Sequence, residues 1–181
     1  MTERELSERC RKQDGKALRV LYECYAGHLM AICLRYVADR EVAQDVLHDG
    51  FLKIFDAFQH FTYRGEGSLK AWMSRIIINL SIEHLRKTGA ASLYVAVDEL
   101  AEDIPDVDEE EVERIPYDVL MRFIGELPAG YRAVFNLYTF EEKTHKEIAA
   151  ELGIAEKSSA SQLFRAKASL AKKIKDYWRN Q

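Results

Sequence analysis

A strongly acidic segment divides this chain into two parts. Residues 98–113 carry ten Asp and Glu side chains, no Lys or Arg, and one Pro, a composition that repels itself and buries little surface. Residues 1–97 carry 14 basic and 12 acidic side chains, and residues 114–181 carry 12 and 8. The sequence therefore predicts two mildly basic domains, residues 1–92 and 116–181, joined by an acidic linker at 93–115.

Apolar residues of the first domain recur at steps of three and four, the period of a helix face. A first long helix is predicted on this basis. A second follows with Asp39 as its cap, and a third begins near Ser68 and runs to Arg86, before Gly89 ends it. The predicted buried residues of the three helices are Leu18, Leu21, Tyr25, Leu29, Ile32 and Tyr36, then Ala43, Leu47, Ile54 and Phe58, then Leu69, Trp72, Ile76 and Leu80.

The second domain has the pattern of a helix-turn-helix. Two short helices, 118–126 and 132–140, precede a capping box formed by Thr144 and Glu147, which opens a helix ending at Gly153. A basic helix follows, from about Glu156 to Trp178, although a later start with Ser159 as its cap is an alternative. Its predicted buried residues are Leu163, Ala166, Leu170 and Ile174. The sequence has no strand-like alternation of useful length, so we expect an all-α protein. The second helix of its helix-turn-helix is expected to enter the major groove of DNA.

Several other classes of protein fit the sequence poorly. The longest unbroken apolar run has six residues, 29–34, and the N-terminus lacks the apolar stretch of a signal peptide, so we expect a cytoplasmic protein. Cys24 and Cys33 are expected in the core. The five histidines lack the spacing of metal ligands, and Gly65 and Gly67 lack the strand of a nucleotide fold, so neither a metal, a cofactor nor an enzyme activity is predicted.

Three ordered motifs resemble the sigma-70 family of RNA polymerase sigma factors. They are residues 43–55 (AQDVLHDGFLKIF), residues 69–86 (LKAWMSRI, Asn79-Leu80 and Glu83-His84-Leu85-Arg86), and residues 127–154 with Leu127-Pro128, YRAVF, KEIA and LGI. The short, two-domain chain is similar to the extracytoplasmic-function (ECF) group. The resemblance implies a factor that binds core RNA polymerase, directs it to specific promoters and helps to open the DNA. It also implies an anti-sigma factor as a partner.

The resemblance also implies roles for individual residues. Contacts to the polymerase clamp are expected at Gln44, Asp45, His48 and Asp49. Recognition of the minus-ten element is expected on one helix face, since Arg75, Asn79 and Arg86 are offset by 0, 4 and 11 residues, opposite Trp72 and Ile76. The loop at 62–68 is expected to hold a base that has left the stack, with Tyr63, Arg64 and Ser68 as its polar and stacking groups.

The last helix is expected to read the minus-thirty-five element, since residues 157–181 hold seven bases and one acid. The residues predicted to contact DNA here are Lys146, Ser158, Ser161, Gln162, Arg165 and Lys167, with Gln162 reading adenine. An alternative function is a stand-alone helix-turn-helix regulator that binds duplex operators without polymerase. The acidic linker is either a solvated spacer or a segment that occupies the DNA-binding faces when DNA is absent.

Overall fold

The computed structural model describes residues 1–93 and 106–181, with side chains for 1–88 and 106–181. Its contacts divide the chain into two units, Met1–His84 and Leu85–Gln181. Every regular element in these described ranges is a helix, which confirms the predicted all-α fold. The elements are α1 (Glu3–Arg11), α2 (Gly15–Val37), α3 (Arg40–Ala57), a 3₁₀ turn (Phe58–His60), α4 (Ser68–Leu93), α5 (Glu109–Glu113), α6 (Tyr117–Gly125), α7 (Ala129–Thr139), α8 (His145–Leu152) and α9 (Glu156–Arg179).

The core of the first unit is formed by α2, α3 and α4. Leu21, Leu29 and Tyr36 of α2 are completely buried, as is Ile54 of α3. Asp39 caps α3 by accepting the N–H of Val42 at 2.9 Å, as predicted. Among the described helices, α2 is the one long and apolar enough to span a membrane by length and composition, and residues on one of its faces are completely buried in the first unit.

The structure differs from the sequence analysis of the first four helices in four respects. Helix α1 was not predicted, and α4 continues past Gly89 to Leu93. The buried face of α4 is centred on Met73 and Ile77, which follow Leu69 at steps of four; the predicted Trp72, Ile76 and Leu80 are half-buried. Cys24 is exposed, whereas Cys33 is buried as expected.

Gly50 lies at a close approach between α3 and α4. A Cβ atom added there would stand 2.2 Å from Cδ1 of Ile77 and 3.6 Å from Cδ1 of Leu80. A glycine in a helix interior costs about 1 kcal/mol relative to alanine. At this position the absence of a side chain lets the two helices pack, which explains why the cost is tolerated.

The second unit forms around α9. Phe123, Ile124 and Leu127 pack with Ala166, Leu170 and Ile174 in one apolar cluster. The predicted capping box is present: Thr144 accepts the N–H of Glu147, and the carboxylate of Glu147 accepts the N–H of Thr144 at 2.8 Å. Gly153 ends α8 in the left-handed region at φ 67°, also as predicted. Helix α9 begins at Glu156, so the alternative start capped by Ser159 is wrong.

Part of the predicted linker belongs to the second unit. Ile115 is buried in the apolar cluster of α9, and Val107 packs against it. Glu111 accepts a hydrogen bond from Lys175 at 2.7 Å, and its carbonyl accepts the indole N–H of Trp178 at 3.1 Å. The end of the acidic segment is therefore anchored to the second unit by a short apolar pair. Residues 94–105 of the linker lie outside the described residues.

Candidate nucleic-acid and polymerase interfaces

The loop between the 3₁₀ turn and α4 is built around Ser68. The Ser68 hydroxyl donates to the carbonyl of Gly65 at 2.6 Å and accepts the N–H of Arg64 at 3.2 Å. Gly65 and Gly67 have φ of 124° and 84°, a region that favours glycine. The Ser68 side chain, predicted to contact DNA, thus holds the loop in its turned conformation.

A cavity of about 400 Å³ opens beside this loop. Its lining combines aromatic, hydroxyl and cationic groups: His60, Phe61, Thr62, Arg64, Ser68, Ala71, Trp72 and Arg75. Trp72 stands against Phe61 and Phe58, with ring centroids 4.8 and 5.3 Å apart, which holds its indole in place. The volume lies within the roughly 300–1,000 Å³ of small-ligand sites, and a flat ring beside arginine side chains suits an unstacked base.

The structure brings together some of the predicted minus-ten residues and separates others. Arg64, Ser68 and Arg75 line the cavity, whereas half-buried Tyr63 is not among its lining residues. Asn79 lines a neighbouring groove of about 480 Å³ between α3 and α4, with Lys53 and Glu83 on its rim. Arg86 is exposed further along α4. The prediction that Trp72 and Ile76 lie opposite the DNA-binding residues is wrong, since Trp72 lines the cavity with Arg75 and Ile76 lines the groove with Asn79. Trp72 was missed as a lining residue because an apolar helix position is usually in the core.

The predicted polymerase face is an exposed surface of α3. Gln44, Asp45, His48 and Asp49 are all exposed, as expected for an interface. Leu52 continues the same face, and half of its surface is exposed. Near it lies a tilted pair of rings, Tyr22 and Phe51, with centroids 4.7 Å apart. Sequence analysis could not assign Tyr22 and Leu52 to this face, because neither side chain carries a charge.

The helix-turn-helix presents a different face of α9 from the one predicted. Ser158 and Ser161 are partly exposed and Lys167 is exposed, but Gln162 is 4 % exposed and packs inside the unit. The prediction that Gln162 points outward is therefore wrong. Ser159 is also buried, and its hydroxyl lies 3.0 Å from Nδ1 of His145 in α8. The start of α9 buries polar groups because it packs against α8.

The outward strip of α9 consists of Lys157, Ala160, Ser161, Phe164 and Lys167. Phe164 is 39 % exposed, so its ring is accessible on this strip. Nζ of Lys167 lies 5.5 Å from the ring centroid of Tyr138. Arg165 is turned toward α7, where its guanidinium donates to the hydroxyl of Tyr131 at 3.4 Å. Lys146 is exposed at the start of α8. Ala160 and Phe164 were missed because neither is polar.

Two protein-family models match this chain. The model of Sigma-70 region 2 matches residues 21–91, and that of Sigma-70, region 4 matches residues 117–170. The chain is similar to the RNA polymerase sigma-H factor of Pseudomonas aeruginosa, at 26 % identity over 95 % of this chain and 93 % of the relative. It is also similar to the ECF RNA polymerase sigma-E factor of Haemophilus influenzae, at 27 % identity over 96 % of each chain.

A solved structure, that of CnrH in complex with the cytosolic domain of CnrY, matches with 23 % identity and a TM-score of 0.49 over 94 % of this chain and 95 % of that one. The chain belongs to the sigma-70 family of RNA polymerase sigma factors. Within that family it is a member of the ECF group, as the motifs of the sequence predicted. It is a transcription initiation factor that binds RNA polymerase and confers promoter specificity, so core polymerase and promoter DNA are its partners.

Proposed function

We propose that the first unit captures a base of the minus-ten element in the cavity beside the 62–68 loop, and thereby helps to open the promoter. The observation that carries this proposal is the lining of the cavity, in which Trp72 offers a flat surface and Arg64 and Arg75 offer cations. Stacking on an aromatic ring contributes about 1–3 kcal/mol per base. The neighbouring face of α4, with Asn79 and Arg86, would hold the rest of the strand through base edges and phosphates.

The second unit would read the duplex of the minus-thirty-five element with the outward strip of α9. Lys157 and Lys167 suit phosphates or guanine, Ser161 suits a base edge, and the exposed ring of Phe164 suits the methyl group of thymine. Lys146 would hold the backbone from the start of α8. Of the described acids of the linker, Glu111 does not cover this strip, since it bonds to Lys175, which lies eight residues or about 12 Å beyond Lys167 along the helix. That position supports the spacer interpretation for residues 106–113.

The exposed face of α3, residues Gln44, Asp45, His48 and Asp49, would bind the clamp of core polymerase. An anti-sigma factor is proposed as a further partner because such partners are common in the ECF group. By covering the α3 face it would compete with polymerase. The protein would act in the cytoplasm, where its polymerase is, and catalyse no reaction itself.

Transcription in vitro tests the base-capture proposal. Core polymerase, with and without this protein, is supplied with a promoter library randomised across the minus-ten element. Replacing the 62–68 loop should change the preferred base at one position, and Tyr63→Ala tests the loop aromatic that sequence reasoning favoured. Trp72→Phe is the milder change at the cavity wall, since it keeps a ring against Phe58 and Phe61.

Two outcomes separate the alternatives. An unchanged base profile with reduced overall activity after the loop replacement would mean that the loop is structural and that Asn79 and its neighbours read the element. Duplex binding without any specific start, with or without polymerase, would favour a stand-alone regulator.

For the second unit, Phe164→Ala should relax preference at one base position. Lys167→Ala should instead weaken binding to cognate and scrambled duplexes alike, and reduce the salt slope by about 1.

A further inference from the structure

Helix α1 holds both ends of the 62–68 loop, although it lies about 50 to 65 residues away in the chain. At the far end, the carboxylate of Glu3 accepts two backbone N–H groups: that of Gly67 at 2.7 Å and that of Leu69 at 2.6 Å. At the near end, the guanidinium of Arg11 donates to the carbonyl of Phe61. The carbonyl of Arg11 in turn accepts the side-chain amide of Gln59 at 3.0 Å.

The carboxylate of Glu3 caps the N-terminus of α4. The first N–H groups of a helix have no partner inside it, and a side chain just before the helix usually accepts them. Gly67 stands immediately before α4 and has no side chain, so the carboxylate comes from α1 instead. A negative charge is favourable at this end of a helix because the backbone dipole is positive there.

The position of α1 is fixed independently of these contacts. Leu6 and Cys10 on its inner face are buried, with 5 % and 0 % of their surface exposed. Eight residues separate Glu3 from Arg11, which is about 12 Å along a helix. Helix α1 therefore links Phe61, the residue before the loop, to the first turn of α4. Residues between these two points, including Thr62, Arg64 and Ser68, line the cavity.

We propose that α1 sets the shape of the base-capture cavity, and that Glu3 and Arg11 are positioning residues for recognition of the minus-ten element. This inference rests on the proposed function of the loop. Loss of the Glu3 carboxylate leaves the start of α4 without its cap and lets the loop relax away from Trp72 and Arg75. The protein then discriminates less well among bases at the captured position, while the faces that bind polymerase and duplex are unaffected.

The test compares two substitutions of the same charge on the same helix. Glu3→Gln keeps the size of the side chain but turns an amide toward backbone donors. Glu8→Gln is the matched control, because Glu8 is exposed and pairs with Arg4 on the surface at 3.1 Å. Each full-length protein, with an untagged N-terminus, is assembled with core polymerase. Binding of a fluorescent single-stranded minus-ten oligonucleotide is then measured for each of the four bases at the captured position.

Glu3→Gln should weaken binding of the preferred oligonucleotide about tenfold, the effect of one charge-assisted hydrogen bond, and flatten the differences among the four bases. Affinity for core polymerase and for minus-thirty-five duplex should match that of Glu8→Gln. Arg11→Gln, which removes the contact at the other end of the loop, should flatten the base profile in the same direction.

Three results would overturn the inference. One is a Glu3→Gln protein that behaves as Glu8→Gln does. Another is an equal loss for all four bases in step with polymerase affinity, which would indicate a general loss of folded protein. The third is tighter binding, which would mean that Glu3 obstructs the site. Replacing the 62–68 loop in the otherwise wild-type protein separates the two proposals. If that replacement leaves the preference among the four bases unchanged, the proposed function of the loop fails. If it changes the preference while Glu3→Gln does not, only the role of α1 fails.

Discussion

Two glycines in long helices of the first unit should respond to alanine in opposite directions. Gly27 is exposed in α2 and has nothing within 4 Å of its added Cβ, so Gly27→Ala should stabilise the unit by roughly 0.5–1 kcal/mol. Gly50→Ala gains the same helix propensity, but its Cβ would stand 2.2 Å from Cδ1 of Ile77. Ile77 is completely buried, so the methyl has to move within a packed core.

Overpacking of this kind costs typically about 1–3 kcal/mol, which exceeds the gain in helix propensity. We expect Gly50→Ala to destabilise the first unit by about 1 kcal/mol, which places the two variants about 2 kcal/mol apart. With a urea m-value of about 1–3 kcal/mol per molar, their unfolding midpoints should differ by about 1 M.

The assay has to report on the first unit by itself, since a chain of two units need not unfold in one step. The chain has two tryptophans, Trp72 in the first unit and Trp178 in the second. In a Trp178→Phe background, the fluorescence of Trp72 follows unfolding of the first unit. Equal shifts for Gly27→Ala and Gly50→Ala, in the same direction, would refute the close approach of α3 and α4 at Gly50.

Three further predictions concern the polymerase face, the thiols and the acidic segment. Reversing the charges of Asp45 and Asp49 should weaken binding of core polymerase in a pull-down and leave helical content by circular dichroism unchanged; unaltered affinity would remove both from the interface. Iodoacetamide at pH 7.5 should label Cys24 in the native protein and spare Cys33, because burial raises the pKa of the Cys33 thiol to about 12; peptide mass spectrometry reads the sites. A lysine hydrogen bond lowers the pKa of Glu111 below its ordinary 4.5, so the stability it contributes is present above pH 4.5 and lost as the pH falls through the lowered value. Glu111→Gln should make the second unit less stable at pH 7, and the difference from wild type should shrink as the pH falls below 4.5, as measured by urea unfolding.

Features set by neighbouring residues could be predicted from the sequence. The capping box of Thr144 and Glu147 depends on residues three apart, and the cap of Asp39 on the three residues after it. The predicted buried face of α9, which includes Ala166 and Leu170, could have been extended toward the N-terminus by the same steps of three and four residues. Four residues before Ala166 is Gln162, which the structure buries, so the periodicity contained the correct orientation although the polarity of glutamine favoured the wrong one.

Features that depend on distant contacts could not be predicted. Helix α1 is polar on most of its surface, and no local pattern reveals the contacts of Glu3 and Arg11 with backbone groups of residues 61–69. Trp72 has the character of a core residue in the sequence, yet the bend of the chain at residues 58–67 leaves one side of its ring on the cavity. The end of the acidic segment folds because Val107 and Ile115, two apolar residues, find a cluster built from the other end of the domain.

The docking of α5 shortens the stretch of chain that joins the end of α4 to the rest of the second unit. The predicted linker, residues 93–115, would span 23 residues if none of it packed against a domain. Between the last described residue of α4, Leu93, and the next described residue, Asp106, there are only thirteen residue-to-residue steps. A fully extended chain covers at most about 3.3–3.6 Å per residue, so these steps reach no further than about 45 Å. Because each base pair advances duplex DNA by about 3.4 Å, this bound corresponds to about 13 base pairs. A covalent length thus bounds the distance between the end of α4 and Asp106, and we expect that lengthening residues 94–105 will widen the range of promoter spacings that the protein accepts.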